Sequence, residues 1–257
     1  MVTAAGTVPE IMLGGVEKQF RGVPVLQSIS LNVERGEFVS ILGPSGCGKS
    51  TLLRIVSGLS PLSGGSVCVN GMTPENARQI MSFIFQDATL LPWRTVEQNV
   101  SLGLEIEHTA RPLRRQRVSQ MLDLVSLGHV ARNYPRQLSG GMKMRVSIAR
   151  ALVSRPRILL MDEPFASLDE ITRDRMNEEL LRLYAEQKWT VLFVTHSVTE
   201  AVFLSSRIII LASHPGRIAH DVTVDLPWPR NVETRESEVF EATVTCVSRF
   251  LRGAQSA

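Results

Sequence analysis

Long apolar runs are scarce in this 257-residue chain. The best of them, Ile158–Met161, Val191–Val194 and Ile208–Ala212, are strand-sized, whereas a membrane-spanning helix needs about 18 or more consecutive apolar residues. The chain is therefore expected not to cross a bilayer by itself. Met1–Glu10 lacks a basic stretch followed by an apolar core, so no secretion signal is read there and residence in the cytoplasm is expected. Cysteine is sparse. Cys47, Cys68 and Cys246 have no metal-ligand spacing, and their odd number and separation favour reduced thiols in apolar surroundings over a disulfide framework. An excess of one charge is also missing, since 28 Lys and Arg against 25 Asp and Glu leave only +3, too balanced to imply nucleic acid. The one basic cluster, Arg111, Arg114, Arg115 and Arg117, reads as the solvated face of a helix. With 44% apolar and 21% charged residues, bulk disorder is excluded, and the length suits one large domain or two modest ones.

Glu10 to about Gly71 is strand-rich: Ile29, Leu31 and Val33 alternate with Ser30 and Asn32 in the period of a half-buried strand. Turns are expected at Arg35-Gly36 and at Ser63-Gly64-Gly65. Between about Val96 and Leu152 helical spacing takes over, with Val118, Met121, Leu122 and Val125 on one face, as in a helical insertion. From Arg157 three short apolar runs alternate with polar, helix-length segments, the rhythm of a parallel sheet covered by helices. The central sheet is therefore drawn from sequence on both sides of the insertion. Leu226-Pro227-Trp228-Pro229 interrupts regular structure, and a final amphipathic helix presents Phe240, Val244, Val247 and Leu251.

The buried-strand pattern Phe38–Leu42 runs into Gly43-Pro44-Ser45-Gly46-Cys47-Gly48-Lys49-Ser50-Thr51 and then into an apolar helix. This is a phosphate-binding loop in the context it requires. Its glycines let successive N–H groups converge on an anion at a helix N-terminus, whose dipole adds positive potential. Lys49 is placed for the β- and γ-phosphates and Ser50 for Mg²⁺. The strand Ile158–Met161 ends in Asp162-Glu163-Pro164. A strand buried on both faces exposes carboxylates at its C-terminal end, which is the ligand edge of an open α/β sheet. Asp162 suits Mg²⁺, directly or through water, and Glu163 suits a general base on the attacking water. So far the pattern says nucleoside triphosphatase.

Leu138-Ser139-Gly140-Gly141-Met142 opens a further helix with Ser139 as its N-cap, and the glycines bare its first-turn N–H groups, making a second anion-binding helix end. Together with the phosphate loop, the Asp162-Glu163 strand end, Ser167-Leu168-Asp169 and Thr195-His196, this order resembles the ATP-binding subunits of ABC transporters, over about Ile11–Arg217. The resemblance implies an α/β fold: a P-loop NTPase core with a mixed, mostly parallel sheet, an N-terminal antiparallel β subdomain and the helical insertion. It places an ATP-binding domain over residues 10–230, with the insertion at about 96–152 and a C-terminal helical extension at 231–257. ATP and Mg²⁺ are the implied cofactors.

In that family two subunits pair head to tail and close each ATP between the phosphate loop of one and the Ser-Gly-Gly helix of the other. By resemblance, Ser139, Gly140 and Gly141 face the partner's nucleotide, and Asp169 links the two sites, although it also fits an N-cap for a helix starting near Ile171. Phe20 resembles the aromatic that stacks on adenine and equally fits a strand-end core position. Gln86 resembles the glutamine that senses Mg²⁺ and water. His196 resembles the switch histidine that binds the γ-phosphate and positions Glu163. Departures from the usual pattern are Met142 for glutamine, Ser197 where an acid is frequent, and Ser167 for alanine. None removes an essential charge.

Leu90-Leu91-Pro92-Trp93-Arg94-Thr95-Val96, directly after Gln86, reads as an exposed apolar patch for a membrane subunit, the alternative being local packing against the helical insertion. This segment, Met142 and Pro215-Gly216-Arg217 resemble importer ATPases of the nitrate, sulfonate and taurine group. The implied setting is the cytoplasmic face of the membrane, on integral permease subunits, with an extracytoplasmic solute-binding protein as indirect partner. Three other readings stay open. A soluble ATPase of the same superfamily would carry tandem units or extra arms, a small-molecule kinase would not need the Ser-Gly-Gly helix and His196, and a nucleotide sensor would not need Glu163.

Overall fold

The computed structural model describes residues 8–255. The chain opens with a hairpin of β1 (Ile11–Phe20) and β2 (Val23–Val33). Arg21 and Gly22, both at positive φ, form the two-residue turn whose twist matches paired strands. Next come β3 (Phe38–Leu42), α1 (Lys49–Val56), β4 (Gly64–Val69) and β5 (Met81–Ile84). The insertion supplies α2 (Val96–Val100), α3 (Leu102–Ile106), α4 (Arg111–Leu124) and α5 (Gly140–Leu152). The remaining elements are β6 (Ile158–Asp162), α6 (Glu170–Gln187), β7 (Thr190–Val194), α7 (Val198–Leu204), β8 (Arg207–Ala212), β9 (Arg217–Thr223), α8 (Val232–Arg235) and α9 (Glu238–Gln255).

Two sheets result. The smaller is antiparallel in the order β2-β1-β4, and the larger runs β5-β6-β7-β3-β8-β9, parallel except for β9. Alternating residues of the central strands feed two cores. Phe38, Leu159, Met161, Val191, Phe193, Ile208 and Ile210 meet the side chains of α5, α6, α7 and α9. Val39, Ile41, Leu160, Leu192, Val194, Ile209 and Leu211 meet α1 and the small sheet. A third core joins Val96, Val100, Leu104, Val118, Leu122 and Val125 within the insertion. Among the described residues, no helix is long and apolar enough to cross a membrane.

Several expectations need correction. Only Ser63 lies in the expected turn, because Gly64 and Gly65 belong to β4. Gly65 is needed for another reason: it has φ +83, and a Cβ there would stand 2.2 Å from the Gly15 carbonyl oxygen, so the two strands touch backbone to backbone. Cys47 is buried, but Cys68 is half-buried and Cys246 exposed, so apolar surroundings hold only for the first. β9 went unread because it alternates half-buried with exposed positions and carries few large apolar residues.

The segment 90–96 does not form a continuous exposed patch. Val96 is fully buried, Leu90 packs on the insertion core, and only Pro92 and Trp93 stand exposed. Asn99 explains this. Fully buried on α2, it accepts from the Leu91 amide at 2.8 Å and donates to the carbonyls of Leu91, Arg94 and Thr95 at 3.1, 3.1 and 3.0 Å. Asn99→Ala is therefore expected to cost roughly 2–4 kcal/mol by orphaning buried backbone groups. Denaturant unfolding would show it as a lower midpoint with an unchanged slope.

Candidate functional site

Four neighbouring parallel strands, β5, β6, β7 and β3, end at one edge, and each delivers a candidate group just past its last residue. This is the edge where open α/β sheets bind ligands. From β3 the loop Gly43–Gly48 turns into α1. Gly48 caps α1 at φ 97, and a Cβ on it would overlap Leu26 Cδ2 at 2.5 Å, so the loop is seated on β2. A Cβ on Gly46, at φ +80, would meet nothing within 4 Å, which leaves the mouth of the loop open. Cys47 sits under the loop, its thiol pushed up by burial. Lys49 Nζ reaches back over the loop to donate to the carbonyls of Gly43 and Pro44 at 2.8 and 3.0 Å. Ser45 and Thr51 flank the same turn.

From β6, Asp162 meets the first residues of α1: Ser50 Oγ donates to Asp162 Oδ1 at 2.7 Å. Burial, together with the neighbouring Glu163 charge, holds the Asp162 carboxyl above its ordinary range, while the Ser50 bond pulls it down. An oxygen-only pair at the mouth of a phosphate loop fits Mg²⁺, which retains several waters and takes few protein ligands. Glu163 follows with φ 47, a left-handed conformation that is costly outside glycine and that clusters at functional sites. Its amide donates to the Val194 carbonyl at 2.9 Å, and its carboxylate is aimed at two partners. Gln86 Nε2, just beyond β5, donates to Glu163 Oε2 at 3.5 Å, and His196 Nδ1, just beyond β7, lies 3.3 Å from the same oxygen. His196 is 59% exposed at the side chain, which excludes a packed core histidine. Two groups, delivered by β5 and β7, thus converge on one carboxylate oxygen delivered by β6.

Phe20 ends β1 at 50% exposure, with Lys18 Nζ 4.7 Å from its ring centroid. It is not part of the core, and a free aromatic face of this kind can stack on a base. Ser139 caps α5, accepting from the Met142 amide at 3.3 Å, and its carbonyl accepts from the Lys143 amide at 3.0 Å. Both interactions stay inside the helix, and Ser139 and Gly140 are exposed. Gly141 lies beside the loop before α6, where an added Cβ would be 3.3 Å from Leu168 Cδ2. Asp169 caps α6, accepting from the Thr172 amide at 3.0 Å. Thr172's amide and hydroxyl hold the Asp169 carboxyl below its usual range.

One site residue escaped the sequence reading. Arg150, on α5, donates to the Ala88 and Thr89 carbonyls at 3.0 and 2.9 Å and to Thr89 Oγ1 at 3.0 Å, clamping the loop that carries Gln86. An arginine in a last helical turn is too common a feature to have drawn notice.

Phosphate loop, acidic strand end and a glutamate polled by glutamine and histidine define a P-loop nucleoside triphosphatase. The comparisons narrow this. Residues 26–166 match the ABC transporter family, and the chain belongs to it. Aliphatic sulfonates import ATP-binding protein SsuB of Bacillus licheniformis is 46% identical over 217 residues, 84% of this chain and 83% of that protein. The protein of the same name from Bacillus cereus is 40% identical over 248 residues, 95% of this chain and 96% of that one. Among solved structures, the dimeric post-hydrolysis ATP-binding cassette MJ0796 bound to ADP and Pi superposes with a TM-score of 0.76 at 33% identity, covering 83% of this chain and 98% of that one. CbiO1 from Clostridium perfringens, part of the ABC transporter complex cbiONQ, gives 0.78 at 25% identity, covering 96% of each. The chain is thus an ATP-hydrolysing subunit of an ABC transporter.

Proposed function

We propose that this subunit energises a membrane importer for a small anion of the sulfonate, nitrate or taurine kind, docked as a peripheral protein on the cytoplasmic side of integral permease subunits fed by an extracytoplasmic binding protein. The convergence of Gln86 and His196 on Glu163, beside the Ser50–Asp162 pair, carries the catalytic part of this reading. The names of the sulfonate-import relatives support the solute class. Pro92 and Trp93, the latter 71% exposed, supply the apolar contact for the permease. Residues 10–230 form the cassette and 231–257 its helical extension.

In the proposed mechanism the N–H groups of the loop Gly43–Thr51, all but that of Pro44, which has none, and the Lys49 ammonium hold the β- and γ-phosphates, and Phe20 stacks on the base. Ser50, Asp162 and Gln86 would hold Mg²⁺, which would supply positive charge to offset that of the phosphates. Glu163 takes a proton from the attacking water, and His196 steadies both Glu163 and the γ-phosphate. Ser139, Gly140 and Gly141 complete the cage of a second copy's nucleotide, and Asp169 joins the two sites. ATP then stabilises the closed pair, and its hydrolysis releases it.

The test is purification from membranes followed by reconstitution. An integral membrane partner is expected to co-purify, and ATP hydrolysis in liposomes is expected to rise when the extracytoplasmic binding protein is added with an alkanesulfonate. Recovery of the chain without any membrane partner would favour the soluble ATPase. Stimulation instead by a solute that carries no sulfonate or other anionic group would overturn the solute class.

A further inference from the structure

Glu200 is a buried acid to which the ATP site gives no task. It lies on α7 at 6% exposure and is met by groups from three other segments. Thr195 Oγ1 donates to its Oε2, Arg173 Nε of α6 lies 3.7 Å from its Oε1, and the Arg235 guanidinium of α8 adds positive charge nearby. Two of these partners, Thr195 and Arg173, also reach a loop of the site. Thr195 Oγ1 also accepts from the Ser197 amide at 3.0 Å, and Ser197 Oγ accepts from the Glu200 amide at 3.3 Å, so the residues on both sides of His196 are fixed. Arg173 donates Nη2 to the Leu168 carbonyl at 2.8 Å and Nε to the Phe165 carbonyl at 3.3 Å, fixing the segment between Glu163 and Asp169.

A buried ion pair contributes little net stability, and a carboxylate away from water is costly where an apolar side chain would not be. Glu200 Oε1 even lacks a hydrogen bond. Stability therefore does not account for an acid here, whereas geometry does. His196 is too exposed for packing to set its place, so its distance from Glu163 depends on the backbone on either side.

We propose that Arg173, Glu200 and Thr195 form a positioning bridge that sets His196 against Glu163 according to the place of the Leu168-Asp169 loop. This rests on the reading of Glu163 and His196 given above. The loop carries the exposed Asp169 and lies against Gly141, so it belongs to the face that a second subunit would cover. When the partner shifts that loop, Arg173 passes the displacement through Glu200 to Thr195, and His196 is brought to bear only in the closed pair. None of the three touches nucleotide.

The full-length chain tests this with Thr195→Val, Thr195→Ser, Glu200→Gln, Arg173→Met and the Arg173→Met/Glu200→Gln pair, using phosphate release across ATP concentrations and titration with a fluorescent ATP analogue. Thr195→Val and Glu200→Gln are expected to lower kcat by about tenfold or more while analogue affinity stays within about twofold. Thr195→Ser, which keeps the hydroxyl, is expected to restore kcat. The double variant should be no slower than its slower parent, because both changes cut one bridge. The bridge is overturned if valine and serine at 195 turn over alike, if kcat falls only in step with loss of folded protein, or if the two single losses multiply. A fully active Thr195→Val beside an inactive Glu163→Gln would sink the bridge alone, whereas an active Glu163→Gln would sink the ATP-site reading beneath it.

Discussion

With Glu163 replaced by glutamine, ATP turnover is expected to fall by roughly 10²–10⁴-fold, the usual contribution of a general base, while nucleotide still binds. The amide cannot accept the water's proton, yet it keeps the length of the side chain and an oxygen for His196 and Gln86. Binding should not suffer. Asp162 is held above its ordinary range first by burial and also by the Glu163 charge, so neutralising Glu163 leaves Asp162 easier to ionise and better able to hold a cation. If ATP joins two subunits and only hydrolysis parts them, the variant should accumulate as a stable dimer with ATP present. Size exclusion with and without ATP, beside a phosphate-release assay, reads both consequences. Turnover at the parental rate would remove the assignment of the base.

Much of this site was legible because the residues that bear its chemistry sit at the ends of strands that announce themselves. Five consecutive apolar or small residues before Gly43, and four before Asp162, can hardly be anything but central strands, and a side chain just past such a strand must emerge at its edge. What could not be read was the meeting of those edges. Ser50 and Asp162 are 112 positions apart, and only the strand order β5-β6-β7-β3 makes them neighbours. The positive φ of Glu163 leaves no mark in composition, since glycine usually signals such a conformation. Asn99, Arg150 and Glu200 are polar residues in helices, the least informative combination in a sequence, and each matters through backbone groups that belong to distant loops. The segment 90–96 shows the opposite failure. Its apolar residues are visible in the sequence, but which of them face inward depends on the hydrogen bonds of Asn99, which the sequence does not show: Leu90 and Val96 pack on the insertion while Pro92 and Trp93 stay outside.

The largest qualitative effect should come from mixing two inactive variants. Lys49→Ala removes the cation that bridges the Gly43 and Pro44 carbonyls, and with it the charge meant for the β- and γ-phosphates, so its homodimer should bind ATP poorly. Ser139→Asp keeps an equally good N-cap and puts an acid where the helix dipole welcomes one, so α5 stays folded. The new carboxylate, however, faces the phosphate that this helix end is meant to hold, and its homodimer should also be inactive. In the proposed head-to-tail pair each site would take its phosphate loop from one chain and its α5 terminus from the other. A mixed pair therefore gathers both defects into one site and leaves the second site intact. Random pairing of equal amounts makes half the dimers mixed, each with one sound site of two, so about one quarter of the parental rate should return if the sites act independently under two-fold symmetry. A site contained within a single chain would recover nothing, because every copy would still carry its own defect. Phosphate release from the two proteins, alone and premixed, separates these outcomes. Recovery on mixing would place the α5 terminus across the interface, at the γ-phosphate bound by the other copy.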